Sequence, residues 1–223
     1  MIIDSKKANE KYSLFDLHVH SFYSYDCKSK PKDILKQAEK IGLSGLAITD
    51  HNTVSFHKSI RGETSLLIIP GIEISTSNGH LIGLGVSELI EKNKSIAETI
   101  ELIFDYGGEI VVPHPFDFLR KGIGRKITKV NFSNLAIETV NASCLTKVFN
   151  NKARNFAEKN SLAQTGGSDS HRVKDIGLAY TLVPKDAETV DDVLESIRKK
   201  KTLGEGSILS IYEKIIRSFQ IHF

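Results

Sequence analysis

Short apolar runs rich in strand-forming residues alternate along this chain with segments whose apolar residues repeat at helical spacing. The clearest helical segment, residues 31–41, has Pro31 in its first turn and Gly42 at its end. Alternation of this kind predicts a parallel sheet with helices on its outside, and eight strands suit a barrel. The eight predicted strands are residues 14–17, 45–49, 66–69 with an extension to 72, 80–86, 109–112, 135–139, 162–165 and 179–183.

The length of 223 residues is typical of a single barrel of alternating strands and helices. A hydrophobic fraction of 40% with 26% charged residues indicates an ordinary globular chain. We expect a tail over residues 1–12, a barrel over 13–206 and a helix over 207–223. The helix has an apolar face, and packing of that face on the barrel is favoured over membrane binding.

The net charge of +3 is too small to indicate a nucleic-acid-binding surface. Cys27 and Cys144 lie far apart and form no C-x-x-C pair, so neither a disulfide framework nor a structural zinc site is indicated. The N-terminus lacks the apolar stretch of a secretory signal. We therefore expect a cytoplasmic protein without membrane association and without an obligate protein partner.

Histidines and carboxylates follow directly on most of the predicted strands. Because the carboxyl ends of parallel barrel strands meet at one face, these side chains are expected to lie together there. The pair His18 and His20, two residues apart, points to one side of its strand. Alone, this pair fits a structural histidine as well as a metal ligand. The full set is His18, His20, Asp50, His51, Glu73, His114, Glu138, Asp169 and His171.

Such a set, buried together, would repel or lie unpaired without a cation. Mixed imidazole and carboxylate ligands favour manganese, zinc or iron over magnesium or calcium. Two or three such ions could polarise a phosphoryl oxygen and activate water, so hydrolysis is the expected chemistry. The chain contains no G-x-S-x-G, P-loop or G-x-G-x-x-G signature that would indicate another mechanism.

Six motifs follow one another along the chain. They are Asp16-Leu17-His18-Val19-His20 with Ser24 and Asp26, Thr49-Asp50-His51, Gly71-Ile72-Glu73, Pro113-His114-Pro115, Ile137-Glu138 through Asn141, and Gly167-Ser168-Asp169-Ser170-His171. In this order they resemble the polymerase and histidinol phosphatase (PHP) family. This resemblance implies a distorted (β/α)7 TIM-like barrel of the PHP type with a trinuclear metal site. It also implies that the run 80–86 is a hairpin or an extra strand outside the seven.

The same resemblance implies a role for each ligand. It places His18, His20, Glu73 and Asp169 at the catalytic centre. The type of residue at the position of Glu138 varies within the family. The implied ligand groups are His18, His20, Glu73 and Asp169 for one ion, Glu73, His114 and Glu138 for a second, and Asp26, His51 and His171 for a third.

A basic loop over residues 120–126 follows His114 and is expected on the active face. Its arginines Arg120 and Arg125, together with Arg172, are candidates for binding phosphate, because guanidinium groups match phosphate oxygens bidentately. His80 is a further candidate for substrate binding, although a structural histidine is slightly favoured. Asp50 fits either a carboxylate that orients a ligand or a helix N-cap, and His57 is expected to be solvated.

The favoured function is that of a metal-dependent phosphoesterase that hydrolyses a phosphomonoester of a nucleotide or another small metabolite. A 5′–3′ or 3′–5′ exonuclease acting on oligonucleotides is the first alternative, followed by a histidinol phosphatase. Amidohydrolase barrels also begin with H-x-H, but they usually carry a lysine after a middle strand. A non-catalytic metal-binding barrel is the remaining alternative.

Overall fold

The computed structural model describes residues 11–59, 64–130, 133–210 and 213. Within these residues, nine strands and five α-helices follow one another along the chain. They are β1 (Tyr12–Val19), α1 (Pro31–Ile41), β2 (Gly45–Ile48), α2 (Ser55–Ser59), β3 (Leu67–Thr76), β4 (Gly79–Leu84), α3 (Ile96–Asp105), β5 (Glu109–Val112), β6 (Ala136–Asn141), α4 (Lys147–Lys159), β7 (Ala163–Gly167), β8 (Ala179–Pro184), α5 (Val190–Arg198) and β9 (Leu203–Gly206).

The strands form one sheet in the order β7-β6-β5-β4-β3-β2-β1-β8-β9. Strand β4 pairs antiparallel with β3 and β5, and β8 pairs antiparallel with β1 and β9. The remaining seven strands run in one direction. All eight predicted strands are present, and the run 80–86 forms a hairpin with β3 inside the sheet. Strand β9 was not predicted.

The two ends of the sheet approach each other and nearly close it into a barrel. Beyond β7, Asp169 N donates to His18 O at 2.8 Å, and His20 N donates to Ser170 O at 3.0 Å. Between β7 and β8, the Thr181 hydroxyl accepts from Gly166 N at 2.9 Å and donates to Gly166 O at 2.8 Å, and we call this junction the seam. The prediction of a TIM-like barrel is thereby confirmed.

The parallel strands are buried on both faces, as expected for a sheet covered by helices. In β2, Ala47 belongs to the cluster that contains Phe15 and Leu17, whereas Leu46 and Ile48 pack in a different cluster beneath α1. Alternate residues of one strand therefore enter two separate cores. Helix α5 contributes to the first of these cores through Val193, Leu194 and Ile197.

Helix α1 has the predicted boundaries. Pro31 lies at its first position, and Gly42 ends it with a φ of 79° while its N–H donates to the carbonyl oxygens of Ala38 and Glu39. Helices α3 and α5 begin with capping boxes, formed by Ser95 with Glu98 and by Thr189 with Asp192.

The predicted terminal segments are only partly covered by the description. Residues 1–10 lie outside it, and β1 already begins at Tyr12, inside the predicted tail. Residues 207–210 are not helical, and Leu209 N donates to Ala142 O at 2.8 Å, which holds this stretch against the barrel. Of the rest of the predicted C-terminal helix, Glu213 is described and is helical, and residues 211–212 and 214–223 lie outside the described ranges. Among the helices that are described, none has the length and apolar character needed to span a membrane.

Candidate metal centre

Two irregularities in the sheet aim side chains into the site. The pairing of β1 with β2 shifts register between Asp16 and Val19, and the pairing of β6 with β7 shifts between Glu138 and Val140. Irregular pairing of this kind redirects side chains and is common beside active sites. His18 lies in the first shifted stretch and Glu138 at the edge of the second, and both side chains are buried.

Glu73 lies at the centre of the cluster, within strand β3 of the hairpin formed by β3 and β4. Its side chain is 1% exposed. Each of its two oxygens faces a different set of histidines. Oε1 lies 2.9 Å from His80 Nδ1 and 3.2 Å from His114 Nε2, whereas Oε2 lies 3.3 Å from His18 Nε2, 3.2 Å from His20 Nε2 and 3.2 Å from His51 Nδ1.

A second carboxylate, Asp26, contacts His51 and His171 of the cluster. Its Oδ2 lies 3.0 Å from His171 Nε2 and 3.5 Å from His51 Nε2. Donor atoms of His20, Asp26, His51 and His171 all lie within 4.8 Å of one another. The structure thus brings together the ligand group predicted for a third ion, with His20 beside it.

Asp169 joins the two parts of the cluster. Its Oδ1 lies 3.5 Å from His20 Nε2, 3.5 Å from His171 Nδ1 and 3.9 Å from His18 Nε2. Its Oδ2 accepts from Arg120 Nη1 at 2.7 Å. Asp169 and His114 both have positive φ, 49° and 32°. Non-glycine residues held in this region are uncommon and are concentrated at functional sites.

The carboxylates and imidazoles of the cluster shift one another's protonation. Burial alone would lower the pKa of His20, but Asp169 and Glu73 outweigh it and raise that pKa to about 9. Burial would raise the pKa of Glu73, but His51, His80 and His18 hold it well below its usual range. The cluster therefore holds many charges in a small buried volume. Such an arrangement is energetically unfavourable unless the charges are paired.

The donor set fits divalent transition metals. Imidazole and carboxylate groups are the ligands of manganese, zinc and iron sites. Three buried ring nitrogens, His51 Nδ1, His80 Nδ1 and His114 Nδ1, have no hydrogen-bond partner within the described part of the chain. Buried polar atoms are normally paired, so such atoms point to a missing ligand. Which ions bind stays a prediction.

The cluster forms the floor of a cleft with a volume of about 380 Å³. Arg120 and His80, both predicted to bind substrate, line this cleft. Arg172 does not, because its guanidinium donates to Asp175 at 2.7 and 3.0 Å, so the prediction for Arg172 is corrected. The side chain of Arg125 lies outside the described part of the structure, although its backbone belongs to the 3₁₀ segment Gly124–Lys129.

Several residues support the site in ways that the sequence did not reveal. Asp50 accepts from Ser21 N and Ser21 Oγ, both at 2.6 Å, so it neither orients His51 nor caps α2. Asp16 accepts from the backbone of Ser168 and Gly177 across the barrel, and burial raises its pKa to about 6. His57, expected in solvent, is instead half-buried, with Nε2 3.1 Å from Gly71 N.

Comparisons with known proteins agree with this arrangement. Residues 148–202 match a family model described as PHP-associated. An uncharacterized protein of Methanocaldococcus jannaschii is 36% identical over 153 residues, which cover 63% of this chain and 88% of that protein.

Two further relatives have functional names, and in each the matched part is only about half of the protein or less. A probable histidinol-phosphatase of Thermotoga maritima is 30% identical over 50% of this chain and 40% of its own length. The 5′-3′ exoribonuclease Rnm of Escherichia coli is 27% identical over 61% of this chain and 52% of its own length.

Solved structures share the fold at low identity. PsfC from Pseudomonas syringae has a TM-score of 0.72 at 18% identity and covers 95% of this chain and 98% of its own. A two-domain protein of Bacteroides vulgatus, described as containing a predicted PHP-like metal-dependent phosphoesterase, has a TM-score of 0.69 at 16% identity, with coverage of 94% and 69%. An amidohydrolase from Chromobacterium violaceum has a TM-score of 0.59 at 17% identity, with coverage of 73% and 89%.

These likenesses and the ordered set of histidines and carboxylates at one end of the barrel have a single explanation. The chain belongs to the polymerase and histidinol phosphatase (PHP) family.

Proposed function

We propose that this chain is a metal-dependent phosphoesterase that hydrolyses a phosphomonoester of a nucleotide or another small metabolite. The observation that carries the proposal is the arrangement around Glu73, where five imidazole rings face the two oxygens of one buried carboxylate. The donor set suits two or three ions of manganese, zinc or iron. Such ions, when bound, would polarise a phosphoryl oxygen and lower the pKa of water to about 7.

Arg120 supports the choice of phosphate over an uncharged ester or amide. Its Nε donates to Ser143 O at 2.8 Å and its Nη1 donates to Asp169, so the guanidinium is fixed at the wall of the cleft with 27% of the side chain exposed. A fixed guanidinium beside the cluster is suited to hold phosphate oxygens without further loss of side-chain freedom. Lys121 also lines the cleft and adds positive charge.

The rim of the cleft supports an organic group attached to the phosphate. Tyr25, Leu119 and Leu145 line the cleft and are 77%, 63% and 46% exposed. Exposed apolar side chains around a polar floor fit a substrate whose phosphate enters first and whose remaining part contacts the rim. A nucleoside satisfies this requirement, and so do other ring-containing metabolites, including histidinol phosphate.

A second candidate function is that of an exonuclease on short oligonucleotides. Tyr25 favours it, because its ring stacks on that of His51 at 5.2 Å and 24° and is otherwise open to solvent. Aromatic rings of this kind stack with the bases of single strands. The likeness to the exoribonuclease of Escherichia coli adds support to this alternative.

The test is release of phosphate, or of a nucleotide, by the purified full chain with manganese, zinc or iron. The substrates are nucleoside monophosphates, nucleoside bisphosphates, histidinol phosphate and short oligonucleotides. We expect metal-dependent turnover that falls at least about a hundredfold in His18→Ala and Asp169→Ala. Equal rates in these variants and the wild type would exclude the proposed mechanism. Turnover of oligonucleotides alone would favour the exonuclease.

A further inference from the structure

Asp117 lies in the loop that follows β5, where it lines the cleft and is nevertheless buried. Its carboxylate accepts hydrogen bonds from two backbone amides. Oδ1 accepts from Leu119 N at 3.1 Å, and Oδ2 accepts from Leu145 N at 2.9 Å. The first bond caps the short 3₁₀ segment Phe118–Arg120. The second bond reaches the loop between β6 and α4, so one side chain joins two loops of the cleft.

A second contact joins the same two loops, because Arg120 Nε donates to Ser143 O at 2.8 Å. The backbone of Asp117 also fixes its own loop. Its carbonyl oxygen accepts from Arg120 N at 3.1 Å and from Gly122 N at 3.0 Å. The guanidinium proposed to hold phosphate and the two leucines bonded to Asp117 are therefore held in a fixed relation to one another.

Tyr25 lies on the opposite side of the cleft. It follows β1, and the order of the sheet places β2, β3 and β4 between β1 and β5, so the loops after β1 and β5 face each other across the end of the barrel. The ring of Tyr25 stacks on His51 and is otherwise open to solvent. Tyr25, Leu119 and Leu145 all line the cleft. An aromatic face on one side and two branched apolar side chains on the other suit a flat ring between them.

We infer that Asp117 is a positioning residue that holds Leu119 and Leu145 as one wall of a slot for a flat ring, with Tyr25 as the other wall. The ring is part of the organic group of a phosphate ester whose phosphate lies at Arg120. The substrate class is therefore a phosphomonoester with a flat ring near the phosphate, and not a short aliphatic phosphate. This inference rests on the proposed phosphoesterase function and names the organic group that the cleft selects.

The first test compares two esters that differ mainly in the ring. Phosphate release by the metal-loaded full chain is measured with benzyl phosphate and with ethyl phosphate. The wild type should have a kcat/KM at least about tenfold higher for benzyl phosphate, since even one methylene in an apolar pocket changes kcat/KM by about 10- to 200-fold. Equal kcat/KM values for the two esters would overturn this inference and leave the proposed function standing.

Substitution of Asp117 tests its positioning role. Asp117→Asn keeps the size of the side chain but has one acceptor oxygen, so only one of the two amide hydrogen bonds can remain. We expect the ratio of kcat/KM for benzyl phosphate to that for ethyl phosphate to fall about fivefold, mainly through a higher KM for benzyl phosphate. General destabilisation would affect both esters alike, so an unchanged ratio in the folded variant would overturn the role of Asp117.

Two further variants keep the slot testable if Asp117→Asn does not fold, which circular dichroism would show. Leu145→Ala shortens one wall without touching Asp117, and it should lower the same ratio by about fivefold or more. The matched control is Leu89→Ala, which changes an exposed leucine that does not line the cleft and should keep the wild-type ratio. An unchanged ratio in Leu145→Ala would overturn the inference.

Binding of benzylphosphonate and ethylphosphonate, which cannot be hydrolysed, measures the slot without turnover. Calorimetric titration of the metal-loaded wild type should give a Kd at least about tenfold lower for benzylphosphonate. Equal Kd values would overturn this inference. A preference for benzylphosphonate in a chain that releases no phosphate from either ester would instead overturn the proposed hydrolysis while supporting the slot.

Discussion

Arg120 and Arg172 look equivalent in the sequence, yet their surroundings differ. Arg120 lines the cleft and holds Asp169, whereas Arg172 pairs with Asp175, whose side chain is 2% exposed. Removal of Arg172 would leave a buried carboxylate without its partner, which costs about 3–5 kcal/mol. Removal of Arg120 would instead take a cation from the site.

We therefore predict that the two substitutions affect different properties, one the activity and the other the stability. Arg120→Ala should lower kcat/KM by at least about tenfold, because a charged contact to phosphate of roughly 1.5–3 kcal/mol is lost. Arg172→Ala should lower the free energy of unfolding and change kcat/KM little. Steady-state kinetics and urea unfolding of both variants provide the measurement. A similar loss of kcat/KM in the two variants would contradict the assignment.

His57 provides a prediction of pH dependence. Burial lowers its pKa from the ordinary value of 6.5, although contacts with the backbone of Gly71 and Ile48 partly oppose the shift. Below pH 6.5 the unfolded chain therefore binds more protons at this position than the folded chain. The stability that neutral His57 contributes is complete above about pH 6.5 and is lost as the pH falls.

The measurement compares wild type and His57→Leu by urea unfolding at pH 7.5 and pH 5.5. The difference in unfolding free energy between the two proteins should move in favour of the variant at the lower pH. Use of the difference removes the contributions of other titrating groups, including the metal centre. An unchanged difference would show that His57 is accessible to solvent after all.

At the scale of elements, the hairpin of β3 and β4 carries both Glu73 and His80, and it depends on a glycine. Gly79 has a φ of 134°, and a Cβ atom there would collide with Lys121 O and Ile123. Gly42, at the end of α1, also has a positive φ, but a Cβ atom would meet nothing within 4 Å. A substitution at Gly42 would therefore cause backbone strain alone, whereas one at Gly79 would cause both strain and steric collision.

We predict that Gly42→Ala costs about 1 kcal/mol of unfolding free energy, which is the cost of the left-handed conformation. Gly79→Ala should cost at least about 2–3 kcal/mol, because strain and overpacking add. It should also weaken metal binding, since His80 follows directly. Urea unfolding and metal titration of the two variants test this, and equal costs would count against the role of the hairpin.

The sequence predicted the strands well and their directions less well. Apolar runs define a strand whichever way it runs, so the period of the residues could locate β4 but could not show that it is antiparallel. Strand β9 has the sequence Leu203-Gly204-Glu205-Gly206. Its two glycines are unusual inside a strand, so the sequence did not indicate one there. Its place in the sheet comes from pairing with β8, which is a tertiary contact.

The candidate site was predictable for a related reason. Ligands at the ends of parallel strands converge whatever their neighbours are, so the histidines and carboxylates of the motifs lie together as expected. The hydrogen bonds of Glu138 were not predictable, because its partners His18 and His114 are distant in sequence. The pair of Arg172 with Asp175, three residues apart, was a signal that the sequence did contain.

For the whole molecule, a bound metal ion is expected to stabilise the folded state. Ligands that bind only the folded state stabilise it by about 2.7 kcal/mol at one hundred times the Kd. For a chain of this size that raises Tm by roughly 5–10 °C. We predict this increase when Mn²⁺ or Zn²⁺ is added to chelator-treated protein.

Differential scanning fluorimetry with and without a chelator measures the effect. The variant His18→Ala should show a smaller increase, because it lacks a ligand of the cluster. A Tm that is the same in both conditions for the wild type would mean that the cluster is stable without an ion.

The seam between β7 and β8 has one more consequence. At Gly166 a threonine hydroxyl takes the place of a neighbouring strand, accepting from the amide and donating to the carbonyl of the same residue. Closure of the barrel there depends on a side chain that can rotate, whereas β2 is held to β1 and β3 by paired backbones. In hydrogen–deuterium exchange, the amide of Gly166 should therefore exchange sooner than the amides of β2 and β3. Local unfolding of the barrel would then begin between β7 and β8.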